Sequence, residues 1–268
     1  MNDAEAERKV REAAFHDRRE RLRSTAPEEY ERITRNHRFY AANRASKQFM
    51  DVWLRQHCAP GQRVLDYCCG TGLNTLFIAR CGADVVGIDI SSESLQAARW
   101  RLDREHLGER SRFVLTDAER TAFGNATFDV ILCNGVLHHL DSSAAFAELS
   151  RILKPGGRIF CVEALAHNPI FQLYRRLTPR MRTAWELDHI MSRQQISLAR
   201  RHFQSVETHF FHLAGLLAVP FRRQPRIFDR LLRVLDGLDR MLLSLPGLRW
   251  WSWQCLFVLT KPRRVTEG

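Results

Sequence analysis

The sequence predicts an α/β fold in which a parallel sheet carries helices on both faces. Three observations predict it. From Arg63 onward, short apolar runs alternate with helix-length stretches. The runs are near-continuously apolar, as strands buried on both faces are. Five successive runs end in a polar group, at the carboxyl end where an open parallel sheet binds ligands.

The elements follow in order. Residues 1–58 read as helical. The first 25 are highly charged and space their apolar residues thinly (Val10, Phe15, Leu22), so a loosely attached or frayed helix is expected there. A second helix over about 40–57 is better patterned, with Phe49, Met50, Trp53 and Leu54, and Ala59-Pro60-Gly61 ends it. Strands are then predicted at 63–69, 83–90, 111–117, 127–134 and 156–164, the last entered through Lys154-Pro155-Gly156-Gly157. Helices are predicted at about 72–81, 92–106 and 142–153. After Ala164 the alternation stops. Residues 165–203 read as a helical, pocket-covering segment, 206–213 as a sixth strand and 254–261 as a seventh. The division expected is a helical segment 1–58, a core 59–164, the covering segment 165–203, and the last two strands with an insertion at 214–250 within 204–268.

Within that insertion Ile227, Phe228, Leu231, Leu232, Leu235, Leu238 and Leu242 recur at helical spacing, with arginines and aspartates between them. LLAVPF precedes this amphipathic helix and LRWWSW follows it. Two roles are open for it. It is a lid or dimer helix packed on the protein's own pocket, or it touches a membrane surface, as tryptophans beside arginines suit a water–lipid boundary.

Composition narrows the function classes. The 268 residues, 45% hydrophobic and 26% charged, are enough to bury a core. Mean hydropathy is −0.32 and no apolar run approaches the ~18 residues of a spanning helix. The N-terminus carries charges where a signal peptide needs an apolar stretch. Seven cysteines without a CxxC argue for a reducing compartment and against a disulfide framework or zinc ribbon, so a cytoplasmic protein is expected, with peripheral membrane contact left open. The net charge of +11 raises nucleic-acid binding. The arginines are scattered and no aromatic-basic binding motif is present, so a nucleic-acid partner is not expected.

The strand ends carry Asp66 with Gly70 and Gly72, then Asp89, Asp117, Asn134 with His138 and His139, and Glu163. LDYCCGTG is the sharpest motif. Its glycines permit a tight turn and close backbone approach to a ligand. A dinucleotide fingerprint, G-x-G-x-x-G, needs a third glycine where Thr75 stands. Asp66 before the loop would repel a pyrophosphate but suit a cationic group. Asp89 can accept from ribose hydroxyls. The ligand read from these residues is a nucleoside with a positive group and no phosphate. Adjacent Cys68 and Cys69 seldom bridge, and adjacent His138 and His139 seldom present two ligands to one ion, so neither a redox pair nor a metal is expected.

VLDYCCGTG, GIDIS, LTDAE, LCNGVLHHLD and RILKPGGRI, in this order and spacing, together resemble the class I methyltransferases that use S-adenosyl-L-methionine (SAM). They are most similar to the ubiquinone/menaquinone and small-molecule subgroup. The likeness covers about 60–164 well and the last two strands weakly. It implies a Rossmann-like, seven-stranded sheet whose last strand is antiparallel between the fifth and sixth. It also implies that Asp66 and the loop Cys69, Gly70, Thr71 and Gly72 face the methionine portion. By the same likeness Asp89 takes the ribose, Ile90 packs on the adenine, and Asp117 accepts from the adenine amino group beside Ala118. Asn134 and Gly135 would lie under the methionine portion. Cys68 stands where the family usually has glycine.

An acceptor hydroxyl or acidic carbon must lose a proton, which a nearby histidine with a carboxylate beside it can take. His138, Glu163 and His139 are the candidates. The function expected is transfer of a methyl group to a small, hydrophobic molecule, at oxygen by preference, with carbon and nitrogen open. A non-catalytic scaffold and an RNA methyltransferase are the alternatives, and a homodimer is left open.

Overall fold

A computed structural model of the protein describes residues 3–178, 185 and 189–263. The central layer is a seven-stranded sheet in the order β3-β2-β1-β4-β5-β7-β6. Its strands are β1 (Arg63–Tyr67), β2 (Asp84–Asp89), β3 (Ser111–Leu115), β4 (Phe128–Asn134), β5 (Leu153–Ala164), β6 (Phe203–Phe211) and β7 (Gln254–Pro262). The first five are parallel, and β7 runs antiparallel to both β5 and β6. The Rossmann-like sheet with a reversed last strand is as the sequence implied.

Continuous apolar strands have a direct structural reason. Leu65, Tyr67, Ile88, Ile131, Cys133, Ile159, Cys161 and Phe257 point into one core. Val64, Val85, Val130, Leu132, Phe160, Val162 and Leu256 point into the other. Alternate residues serve opposite faces, so neither parity is free to be polar. The first face is covered by α6 (Ser142–Ile152) and α8 (Arg193–His202), through Phe146, Leu149, Ile196 and Ala199. The second is covered by α3 (Arg44–His57) and α4 (Leu73–Arg80), through Met50, Trp53, Leu54 and Ile78. The helix α5 (Ser92–Arg104) lies on β2 and β3, and Ser91 caps it by accepting from the Ser94 amide at 3.0 Å. Asp141 caps α6 in the same way.

Three expectations at the periphery need correction. Residues 3–25 form one helix, α1, and it is docked: its ion pairs reach the residues after β3 and β4, and Asp17 accepts from Ser91 after β2. A hydrophobic pattern cannot register an attachment made by charge. The helix expected from 40 begins only at Arg44, preceded by the short α2 (Pro27–Ile33) and a 3-10 segment over Arg35–Ala42. The amphipathic helix, α9 (Pro225–Leu242), buries Phe228 and Leu232 against Ala42, Ala218 and Val219 and lines no part of the cavity described below. It is therefore not a lid over that cavity. In the segment 165–203, α7 (Pro169–Leu177) and α8 are helical as expected, while 179–184 and 186–188 lie outside the described residues.

Candidate active site

The site begins at the turn after β1. Gly72 opens α4 with φ +74°, and a Cβ there would come within 2.9 Å of the Ala98 methyl of α5. Only glycine meets both conditions. Cys68 also lies in the left-handed region, at φ +57°. That is a conformation that costs a residue bearing a side chain on the order of 1 kcal/mol. Asp66 is 1% exposed and accepts from the Thr75 hydroxyl at 2.6 Å. Burial pushes its carboxyl up to about 7, although the Thr75 bond opposes the shift. Burial likewise raises the Cys68 and Cys69 thiols, so both are inert as nucleophiles, and both are free.

A cavity of about 290 Å³ opens at the carboxyl ends of β1, β2 and β4. Asp89 sits on its wall. One carboxylate oxygen accepts from the Gly70 amide at 2.9 Å and the other from the Ser91 amide at 2.9 Å. These bonds aim the carboxylate and tie the loop to β2. Asp117 accepts from the Glu119 amide at 2.9 Å and from Lys9 at 2.5 Å. Ala118, beside it, is held by a hydrogen bond from the Tyr67 hydroxyl to its carbonyl. Gly135, at φ +69° with open space where a Cβ would stand, donates to the Val162 carbonyl at 2.7 Å.

The base candidates form a built arrangement. Glu163 is 1% exposed, and its Oε1 accepts from the amides of Val136 and Leu137 at 2.9 and 2.7 Å. Its Oε2 lies 2.7 Å from His138 Nδ1. A carboxylate fixed by two amides thus fixes an imidazole. His139 lies on the neighbouring ring, 4.3 Å between centroids, with its Nδ1 3.3 Å from the Glu12 carboxylate.

The sequence reading missed the wall supplied by α1. Arg8, Lys9, Glu12, His16 and Arg19 all line the cavity. Arg8 donates to both oxygens of Glu119 (2.7 and 2.9 Å) and to the His139 carbonyl at 3.0 Å. Its guanidinium lies 4.3 Å over the Trp185 ring. Burial alone would lower the Lys9 ammonium, but Asp117, Glu5 and Glu119 outweigh it and hold it above the ordinary lysine range. Asp17 accepts from the Ser91 hydroxyl at 2.6 Å and from the Glu93 amide at 3.2 Å, at the positive end of α5. The available signal was positional: residues 8, 12, 16 and 19 share one face of a helix.

Of the residues picked from sequence, Cys69, Gly70, Thr71, Asp89, Ile90, Asp117, Ala118, Asn134, Gly135 and His139 line the cavity. Asp66 and Gly72 support the loop from behind. His138 and Glu163 pair beside the cavity without lining it. Among the described residues no part of 165–203 lines it either, although Trp185 covers Arg8.

Residues 64–157 match the family model described as a methyltransferase domain. The chain is 38% identical over 127 residues to a ribosomal protein L11 methyltransferase of Paraburkholderia xenovorans, covering 46% of this chain and 40% of that one. It is 28% identical over 188 residues to a demethylmenaquinone methyltransferase of Lactiplantibacillus plantarum, covering 64% and 79%. Its structure is similar to geranyl diphosphate C-methyltransferase from Streptomyces coelicolor A3(2), solved with Mg2+, geranyl diphosphate and S-adenosyl-L-homocysteine. The TM-score is 0.57 at 17% identity, over 80% of this chain and 79% of that one. The chain spans less than half the length of the first curated relatives it matches. The fold is that of the class I SAM-dependent methyltransferases, with residues 64–157 as the methyltransferase domain. SAM, the cofactor of that class, fits the residues present. Asp89 keeps further lone pairs for ribose hydroxyls, and the open space at Gly135 admits a ligand against the backbone.

Proposed function

We propose that the protein transfers a methyl group from SAM to a small, hydrophobic acceptor, with a hydroxyl as the preferred nucleophile. The observation that carries this reading is the cavity at Asp89 and Gly135 within a matched methyltransferase domain, with an oriented histidine beside it. When bound, SAM supplies a methyl group activated by a positively charged sulfur. Asp89 holds the ribose. Asp117 accepts from the adenine, which requires Lys9 to release or share that carboxylate. Asn134 and Gly135 line the methionine portion.

His138 acts as the base. Glu163 accepts its Nδ1 proton, which fixes the tautomer and leaves Nε2 as the basic nitrogen. Protonation of Nε2 is then stabilised by the adjacent carboxylate. His139, on the cavity wall, is the second candidate.

The hydrophobic acceptor is supported by the demethylmenaquinone relative and by α9. On α9, Ile227, Val234, Leu238 and Met241 are 40–70% exposed on one flank, beside Arg226, Arg230 and Arg233. An apolar strip bordered by arginines fits an anionic lipid surface, at which a lipophilic acceptor would be met. The match to the L11 enzyme covers under half of either chain and does not carry an acceptor.

Calorimetry with SAM tests the cofactor. Asp89→Ala should weaken binding by about 1–3 kcal/mol through lost charged hydrogen bonds. Binding of NADH without binding of SAM would end the proposal. Labelled SAM offered with a lipid-soluble metabolite extract should yield a labelled product. His138→Ala should then lower kcat by ~10²–10⁴ with SAM affinity kept. Salt-reversible pelleting with phosphatidylglycerol vesicles, absent with phosphatidylcholine alone, checks the surface; a dimer that hides α9 is the contrary result.

A further inference from the structure

We propose that Glu12, His16 and His139 form a binding site for one divalent transition cation, with zinc as the best fit. Glu12 and His16 stand four residues apart on α1, so both project from one face of the helix toward the core. His139 meets them from the turn after β4. Glu12 Oε2 lies 3.3 Å from His139 Nδ1 and 3.7 Å from His16 Nε2. The imidazole rings meet edge to face at 5.3 Å. One donor atom from each residue falls within 4.8 Å of the others.

The Glu12–His139 spacing matches a coordination sphere, the Glu12–His16 spacing is slightly longer, and the two imidazole donors lie within 4.8 Å of each other. Two ligand atoms about 2.1 Å from a tetrahedral ion are about 3.4 Å apart. Closing the set requires the three donors to draw together from within 4.8 Å. Two imidazoles and a carboxylate suit zinc and its first-row neighbours, not magnesium or calcium, which take oxygen ligands.

The surroundings admit the charge. Glu12 is buried, at 6% exposure. Arg8 pairs with Glu119, and Lys9 with Asp117 and Glu5. A bound cation would offset the burial of the Glu12 carboxylate. All three residues line the cavity, so three protein ligands would leave a coordination position facing it. That is the pattern of zinc sites that take water or a substrate oxygen. A cation there would also clamp α1 onto the core. Metal binding stands without the methyl-transfer reading, while its use in activating an acceptor oxygen rests on it.

The experiment uses the full chain, stripped with chelator and dialysed against zinc. One zinc per chain should be retained. Glu12→Gln, His16→Asn and His139→Asn should each weaken binding at least tenfold, with circular dichroism unchanged. Cobalt loading supplies a second readout that does not depend on activity. Visible d–d bands without thiolate charge transfer are expected, and His16→Asn should abolish them. Failure to retain zinc, equal retention in all three variants, or a cysteine charge-transfer band would overturn the site. Loss of methyl transfer with zinc still bound would overturn the functional reading and leave the site standing.

Discussion

The helices α1 and α9 are both additions to the sheet, and they are attached in opposite ways. The attachment of α9 is mainly apolar: Phe228 and Leu232 are buried, Leu231 and Leu235 pack beside them, and buried Asp239 adds bonds from the Leu213, Ala214 and Gly215 amides. The attachment of α1 is electrostatic: Arg8, Lys9 and Asp17 bind Glu119, Asp117 and the start of α5. Apolar burial is insensitive to salt and leaves a periodic signature in the sequence. Ion pairs respond to salt and pH, less so the more they are buried, and leave no such signature. The helix beside the cavity is thus the one that solution conditions can release. The helix far from that cavity is held against changes in salt.

The largest expected effect breaks the apolar attachment. Phe228→Ala should cost about 3 kcal/mol, the lower end for a buried aromatic, because its cluster is small. Denaturant unfolding measures the loss, and hydrogen exchange should place it in residues 214–242. A cost below about 1 kcal/mol would mean that α9 is held by something other than this face.

The pH dependence separates the two regions next. His212, at the base of the insertion, donates from Nε2 to Ser46, whose hydroxyl donates to Gln254. Burial lowers its pKa to about 4. Between pH 6.5 and about 4 the unfolded chain takes up a proton that the native chain refuses, so stability falls as pH falls through that window. The loss is at most about 3 kcal/mol, and His212→Gln should remove it. Lys9 has the opposite sign. Its pKa is raised, so its contribution is complete below the unfolded value of 10.5 and is lost as pH rises through the higher folded value. Protonation of His212 should therefore loosen the insertion, in part offset by the Asp236 and Asp239 carboxyls, whose pKa values burial raises, and strong base should loosen α1. Proteolysis at the two extremes would show which region opens first, and the reverse order would refute the assignment.

Glu119→Gln probes the charged attachment alone. Glu119 receives both Arg8 bonds, lies 3.0 Å from Lys9, and accepts from the Asp141 amide at 2.7 Å. The loss should be about 1–2 kcal/mol, smaller than for Phe228→Ala because α1 can detach and rehydrate its charges. Near-molar salt, where the screening length is about 3 Å, should reproduce part of the effect in the wild type. Protease cleavage within 3–25 is the readout. Equal cleavage in low and high salt would show that charge is not what holds α1.

The same contrast explains what was legible. The central strands were readable because both parities are apolar, and Gly72 because its φ and the Ala98 contact leave no alternative. Asp89 and Asp117 were readable from their places at strand ends. Arg8, Lys9, Glu12 and His16 were not, since a charged helix face looks the same whether it meets water or a carboxylate. The helix α9 was readable as amphipathic, but its apolar arc is wider than the face it buries. Nothing in the pattern divides Phe228 and Leu232, buried against the insertion, from Val234 and Met241, exposed to solvent.

The smallest effect sharpens the comparison most finely, because it places an ion pair on the apolar helix. Arg44 of α3 reaches Asp229 of α9 at 2.7 Å, with the side chains 57% and 46% exposed. The Arg8–Glu119 pair has the same chemistry at 12% and 3%. Exposed pairs are screened and hold two long side chains at an entropic cost, so they contribute about 0–1 kcal/mol. The Arg44 guanidinium also lies 5.2 Å over the Phe228 ring, and a methionine keeps an apolar stem there. Arg44→Met should therefore change stability by no more than about 0.5 kcal/mol and leave its salt dependence unaltered. A loss above about 1 kcal/mol that vanishes in high salt would show that α9, too, is held by charge, and the distinction between the two helices would fail.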